Sequence, residues 1–230
     1  MASAKERRFE ITGGALCLDL ANTVDNRPTL GRELLVDYAD LVAWGQQAGA
    51  LSQRQVRALS AAAERGPGRA RAALARARSL RETLFRLFSR TTAGRSPDRA
   101  DVGALDAALG VAAARRRLVD VGSRLELAWS PEAEGSLDLP TLAATLSAVE
   151  LLTSPRLERV RICQARDCDW LFLDASRNGS RRWCDMSVCG NRAKVRRFRR
   201  RVRPAERRAR PAQAAASRAN ACSSSRRATR

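Results

Sequence analysis

Two hydrophobic rhythms run along this chain, and they change places near residue 155. Before that point most apolar positions recur at three and four. From Arg32, Leu34, Leu35, Tyr38, Leu41, Val42 and Gly45 predict a helix that Gly49 ends. Ser52 with Gln55 forms a capping-box pattern opening a second helix to about Ala63, and Gly66-Pro67-Gly68 breaks it. A long helix is predicted over about residues 69–90, with an inner stripe of Ala70, Ala73, Leu74, Ala77, Leu80, Leu84, Phe85 and Phe88. A shorter one covers about Asp101 to Leu109. Leu125, Leu127 and Trp129 alternate with polar or small residues, which predicts a half-buried strand. Val119 and Val121 supply its partner across a Gly122-Ser123 turn. Pro140 opens a last helix with Leu142, Leu146, Val149 and Leu152 on one face, stopping before Pro155. Ahead of all these, Phe9 to Thr12 predicts a short strand closed by Gly13-Gly14. The apolar run of residues 15–24 that follows is interrupted by Asp19 and Asn22.

After residue 155 the period becomes two. Val160, Ile162 and Cys163 predict one strand, and Trp170, Phe172 and Asp174 another. Ser176-Arg-Asn-Gly179 carries Asn-Gly, a strong turn signal. Arg182, Trp183 and Cys184 then return, so one hairpin is expected between two cysteine pairs. Beyond Arg203 no large apolar residue recurs, and a disordered basic tail is expected over 204–230. The fold class is therefore α+β. A mainly helical domain with a small sheet (9–155) precedes a small four-cysteine, ribbon-like module with a basic C-terminal helix (156–203).

Charge sharpens this division. Residues 1–155 hold 21 basic and 18 acidic side chains, residues 156–203 hold 15 and 5, and residues 204–230 hold 7 and 1. Most of the net +19 thus lies in the last third, the footprint of a polyanion partner. Arginine outnumbers lysine 41 to 2, which codon bias accounts for; bias does not account for Glu206 being the only acid beyond Asp185. The chain has no histidine, which excludes His-based general-base chemistry, Ser–His–Asp triads and His-ligated metals. Neither a phosphate-cradling glycine loop nor a carboxylate pair supports catalysis, so the expectation is a protein that is not an enzyme. No secretory h-region and no membrane-length apolar run is present, and a cytoplasmic location is expected.

Cytoplasmic thiols stay reduced, so clustered cysteines there point to metal. Cys163, Cys168, Cys184 and Cys189 follow the spacing Cys-x4-Cys-x15-Cys-x4-Cys, two close pairs that can complete a tetrahedral four-thiolate site. One structural zinc ion is the expected cofactor, with iron or no metal the alternatives. Cys17, in an apolar run, is expected to be a core residue, and Cys222 incidental. After the last ligand, residues 192–203 hold eight basic residues in twelve and no acid. Asn191 is placed to cap the resulting helix. Val195, Phe198 and Val202 form its narrow apolar stripe, suited to docking on the ribbon. Like charges at i, i+4 repel, and a polyanion would relieve them. The nucleic-acid contacts expected are Asn191, Arg192, Lys194, Arg196, Arg197, Arg199, Arg200, Arg201 and Arg203. DNA is the first partner considered and RNA the second, with Trp170, Phe172 and Trp183 able to stack bases if exposed. Asp19 and Asn22 either line a ligand pocket or satisfy turns and caps.

The run Cys189-Gly-Asn-Arg192, with Arg182-Trp-Cys184, Trp170-Leu-Phe-Leu-Asp174 and the lead-in Arg159-Val-Arg-Ile-Cys163, resembles the CGNR zinc-finger family. Residues 13–23, Gly-Gly-Ala-Leu-Cys-Leu-Asp-Leu-Ala-Asn-Thr, resemble the opening of the ABATE domain that accompanies this finger. The resemblance implies a stress-induced transcription regulator of bacteria, with an N-terminal domain that senses or binds something, a ligand-sensing or interaction domain, and a finger that binds DNA; an unknown small-molecule effector is the expected partner of the first. It places the zinc ligands on the same four cysteines. Binding RNA or the ribosome, or serving as a protein-interaction module, are the alternatives. A homodimer is compatible with either.

Overall fold

The computed structural model describes residues 8–199. Helix α1 (Leu16–Ala21) leads to a ribbon of β1 (Val24–Asp25) and β2 (Arg32–Glu33). Then come α2 (Tyr38–Gln47), α3 (Gln53–Arg65), α4 (Pro67–Thr92) and α5 (Arg99–Ala114). A second ribbon follows, β3 (Arg116–Asp120) with β4 (Leu125–Trp129), then α6 (Pro131–Glu134) and α7 (Leu139–Leu152). A 3-10 turn (Pro155–Arg159) feeds a third ribbon, β5 (Val160–Ile162) and β6 (Leu171–Leu173). A wide, π-type helical turn (Met186–Gly190) runs into helical residues 191–199. All three ribbons are antiparallel pairs. The class is α+β, mainly helical. The described residues divide after Asp185 into two compact units.

The helices start where local chemistry starts them. Asp37 and Asp40 form a reciprocal capping box on α2, and Ser52 and Gln55 form one on α3. Pro67 opens α4, where its missing N–H leaves nothing unsatisfied. The predicted stripe of α4 is buried except Phe85, which is half-buried. Helix α1 is only six residues long, yet Cys17, Leu18, Leu20 and Ala21 are wholly buried. It sits among α4, α7 and β6. A helix apolar on all sides belongs in the centre of a core.

Several expectations need correction. Residues 9–12 form no strand; Phe9 is buried and its N–H donates to Gln47 Oε1 at 2.8 Å. The helix expected from Arg32 begins at Tyr38. Glu33 Oε1 takes the Leu35 N–H and Asp40 Oδ2 takes that of Val36, so side chains hold this stretch in a turn until Asp37 caps α2. Helix α5 runs from Arg99 to Ala114, longer than predicted, with Asp98 as its cap. The β3–β4 ribbon forms across Gly122 as expected but is not half-buried: Leu118, Leu125 and Leu127 are 69%, 66% and 56% exposed. On α7 the core takes Leu142, Ala144, Ala148 and Leu151, while Leu146, Val149 and Leu152 are half-buried. With small and hydroxyl side chains spread around it, α7 carries no sharp stripe by which to choose its face.

The third ribbon is not a separate knuckle. Val160 and Leu171 lie in the same core cluster as α1, α4 and α7. Much of the apolar burial that holds it comes from the helical domain.

Candidate metal centre and nucleic-acid interface

Cys163 directly follows β5, and Cys168 stands in the turn leading to β6. The Cys163 N–H donates to the Trp170 carbonyl at 2.9 Å, and that of Cys168 to the Ala165 carbonyl at 3.2 Å. The ribbon therefore encloses the first cysteine pair, rather than separating the two pairs as the alternation had suggested. Asp174, buried at the end of β6, organises the return. Its Oδ1 accepts from the Ser176 N–H at 2.9 Å and its Oδ2 from the Arg181 N–H at 2.9 Å. Between them lies the expected turn, with Gly179 at φ +60°, a left-handed position that costs glycine little. Gln164 and Arg182 then lock the strandless return: the Gln164 N–H donates to the Arg182 carbonyl at 3.0 Å, and Arg182 Nε to Gln164 Oε1 at 2.7 Å. Arg181 donates to the carbonyls of Trp183 and Cys184.

The result is a cluster of four buried thiols. The sulfurs of Cys163, Cys168, Cys184 and Cys189 all lie within 4.8 Å of one another. The Cys168 and Cys184 sulfurs are 3.7 Å apart. Zinc–sulfur bonds of about 2.3 Å in a tetrahedron put sulfurs about 3.8 Å apart, so the spacing fits zinc. Hydrogen bonds from the Cys168 and Cys184 thiols pull the Cys163 thiol well below its ordinary value, and the same contacts with Cys163 raise those of Cys168 and Cys184. Arg192 Nη2 donates to Cys189 Sγ at 3.1 Å, a cation that offsets thiolate charge. Four sulfurs fill four positions, which makes the ion structural.

Residues 159–202 match the CGNR zinc finger. Residues 14–155 match the ABATE family, described as "Putative stress-induced transcription regulator". The chain belongs to the ABATE family. No curated protein matches it. The ABATE domain and the finger together make this a zinc-finger protein of regulator type with one structural zinc site.

The residues expected at the nucleic-acid interface divide. Lys194, Arg197 and Arg199 are exposed on the helical run, and Arg196 is half-buried. Arg192 is half-buried, with Nη2 donating to the Cys189 sulfur. Asn191 does not cap a helix: the chain is already helical before it, and Asn191 Nδ2 donates back to the Ser187 carbonyl at 2.8 Å. Val195 and Phe198, expected to dock on the ribbon, are exposed. Arg200, Arg201, Val202, Arg203, Cys222 and the tail lie outside the described residues. Trp170 and Phe172 are buried, with Trp170 Nε1 donating to the Val24 carbonyl at 3.0 Å.

Asp19 and Asn22, the expected pocket residues, both hydrogen-bond to backbone. Asp19 Oδ1 accepts from the Gly13 N–H at 2.7 Å, and burial pushes its carboxyl up to about 6 despite the Gly13 and Thr12 amides. Asn22 pairs with Leu171 like an extra strand. Its Nδ2 donates to the Leu171 carbonyl and its Oδ1 accepts the Leu171 N–H, both at 2.8 Å. The next outward-facing amide of β6, Leu173 N–H, donates to the Gly13 carbonyl at 2.7 Å. β6 thus has β5 on one edge and the ABATE opening segment on the other. A Cβ at Gly13 would stand 2.9 Å from Asp19 Oδ1, so the first glycine permits this approach. Polar residues inside an apolar run signalled this clamp, but nothing nearby in sequence pointed to β6, some 150 residues away. Among the described residues no helix is long and apolar enough to cross a membrane.

Proposed function

We propose that the protein is a DNA-binding transcriptional regulator whose zinc finger contacts duplex phosphates while its ABATE domain responds to a small-molecule effector. The observation that carries this reading is the position of the basic helical run. It starts two residues after the last zinc-fitting thiol and exposes Lys194, Arg197 and Arg199, with no acid between Asp185 and Glu206. A cation row on a metal-pinned scaffold suits phosphate contact, which sets position, leaving few side chains to read bases. On this reading the protein is not an enzyme, in keeping with its lack of histidine. The Asn22 and Gly13 bonds to β6 supply a direct mechanical route from the ABATE domain to the strand that follows Cys168.

RNA binding is favoured less. Of the three aromatic candidates for base stacking, Trp170 and Phe172 are buried, which leaves Trp183. The test is binding of the zinc-loaded protein to duplex and single-stranded oligonucleotides across a salt series, with Cys184→Ser as control. The expected result is duplex preference, a log–log salt slope of roughly −0.9 per phosphate neutralised, and loss of that preference in the control. Affinity equal to that of a free arginine-rich peptide would overturn the proposal.

A further inference from the structure

A cleft of about 250 Å³ opens between α4, α5 and α7, within the ABATE domain and away from the cysteines. Its lining mixes apolar side chains, Leu80, Ala108, Val111 and Leu142, with the threonines Thr83, Thr141 and Thr145. Thr141 Oγ1 is buried with no hydrogen-bond partner among the described residues. Buried polar atoms are nearly always paired, so an unpaired one on a residue that lines a cleft marks the place of a missing partner. Thr145 donates its proton to the Thr141 carbonyl at 2.9 Å, which leaves its oxygen free to accept. The Thr83 hydroxyl receives Arg86 Nη2 at 3.3 Å, which leaves its proton free to donate.

At the mouth, Arg76 meets Asp138 in a two-pronged ion pair, at 2.8 and 2.9 Å. The two charges neutralise each other, so the cleft offers no net charge to an ionic ligand. Gly103 and Gly110 lie inside α5 with nothing within 4 Å of where a Cβ would stand, so no packing contact demands them. Glycine in a helix interior weakens it, and a weak helix can give way to admit a guest. The volume is below the roughly 300–1,000 Å³ of sites for drug-sized molecules. It exceeds the about 150 Å³ in which an apolar cavity holds benzene.

We infer that this cleft is the effector site of the ABATE domain, and that it takes a neutral, single-ring-sized molecule with an apolar body and one hydroxyl or carbonyl. The inference rests on reading the ABATE domain as the sensing part of a regulator. The ring lies against Ala108 and Leu142, and its polar end pairs with Thr141 and Thr83.

The test is ligand-observed NMR titration of the full-length, zinc-loaded protein. The probes are benzyl alcohol, toluene, benzoate and benzylammonium. Benzyl alcohol is expected to bind saturably, at least tenfold tighter than either charged isostere. Ala108→Leu, which fills the cleft, should weaken it tenfold or more with helical circular dichroism unchanged. Thr141→Val should reduce the preference for benzyl alcohol over toluene severalfold. If Ala108→Leu does not fold, the Thr141→Val ratio decides alone. Non-saturable binding, equal affinity for the charged probes, or an unchanged Thr141→Val ratio would each overturn the site. Duplex binding by the same samples reports on the finger separately. Intact DNA binding with no probe binding sinks the cleft alone, and the converse sinks the regulator reading alone.

Discussion

Asn22 shows how much one side chain can hold. Its amide meets both backbone groups of Leu171 in a buried setting. Asn22→Ala leaves a buried N–H and a buried carbonyl unpaired, at about 1–3 kcal/mol each. A loss of about 2–5 kcal/mol in urea unfolding is expected; a loss under about 1 would mean that water replaces the amide. Asp19 makes a prediction with a sign. Its folded carboxyl titrates near 6, above the ordinary 3.8, because burial disfavours its charge. The folded state therefore holds a proton that the unfolded state has released. Stability from Asp19 is full below about pH 4 and is lost as pH rises through 6. Relative to Asp19→Asn, the native protein should lose on the order of 2–3 kcal/mol between pH 4 and 7. A flat difference profile would place the carboxyl in solvent. Both residues were visible in sequence as polar interruptions, but their partners were not, because hydrogen-bond partners at long range leave no local pattern.

At the scale of elements, the ribbons share a geometry and differ in burial. In β3 and β4 the leucines stand in solvent, whereas Leu171 in β6 is wholly buried. Leu118→Ser or Leu127→Ser should change stability by no more than about 0.5 kcal/mol, as for surface sites. Leu171→Ala should cost about 2–5 kcal/mol. Thermal unfolding of the three variants checks this, and a large cost at Leu118 would mean that the ribbon face is covered in solution. Alternation along residues 125–129 announced a strand correctly. It could not say whether the apolar face has a neighbour, since period two records a pleat and not what lies across from it. The capping boxes of α2 and α3 are the opposite case: donor and acceptor lie three residues apart, and Ser52 with Gln55 was legible directly.

For the whole molecule, zinc and the helical core divide the work of holding the finger. The β5–β6 ribbon is rooted in the main core through Val160 and Leu171, while the return through Cys184 has no strand of its own. Chelation should release one zinc per chain and remove amide-exchange protection from residues 164–169 and 181–190. Protection at α1 and at Leu171 should persist. Global unfolding on chelation would show instead that the metal supports the entire fold. By itself the sequence determined α3 with its local cap, the four clustered cysteines, the turn at Gly179 and the gathering of positive charge at one end. Each of these depends on groups close in sequence or on residue chemistry alone. Tertiary structure decided that Arg192 serves a sulfur and that Asn191 ties two turns. It also decided which backbone groups Asp19 and Asn22 bind, and that the cleft lies among α4, α5 and α7. Those outcomes turn on which surfaces meet across long separations, where burial and hydrogen-bond satisfaction are settled by the assembled chain.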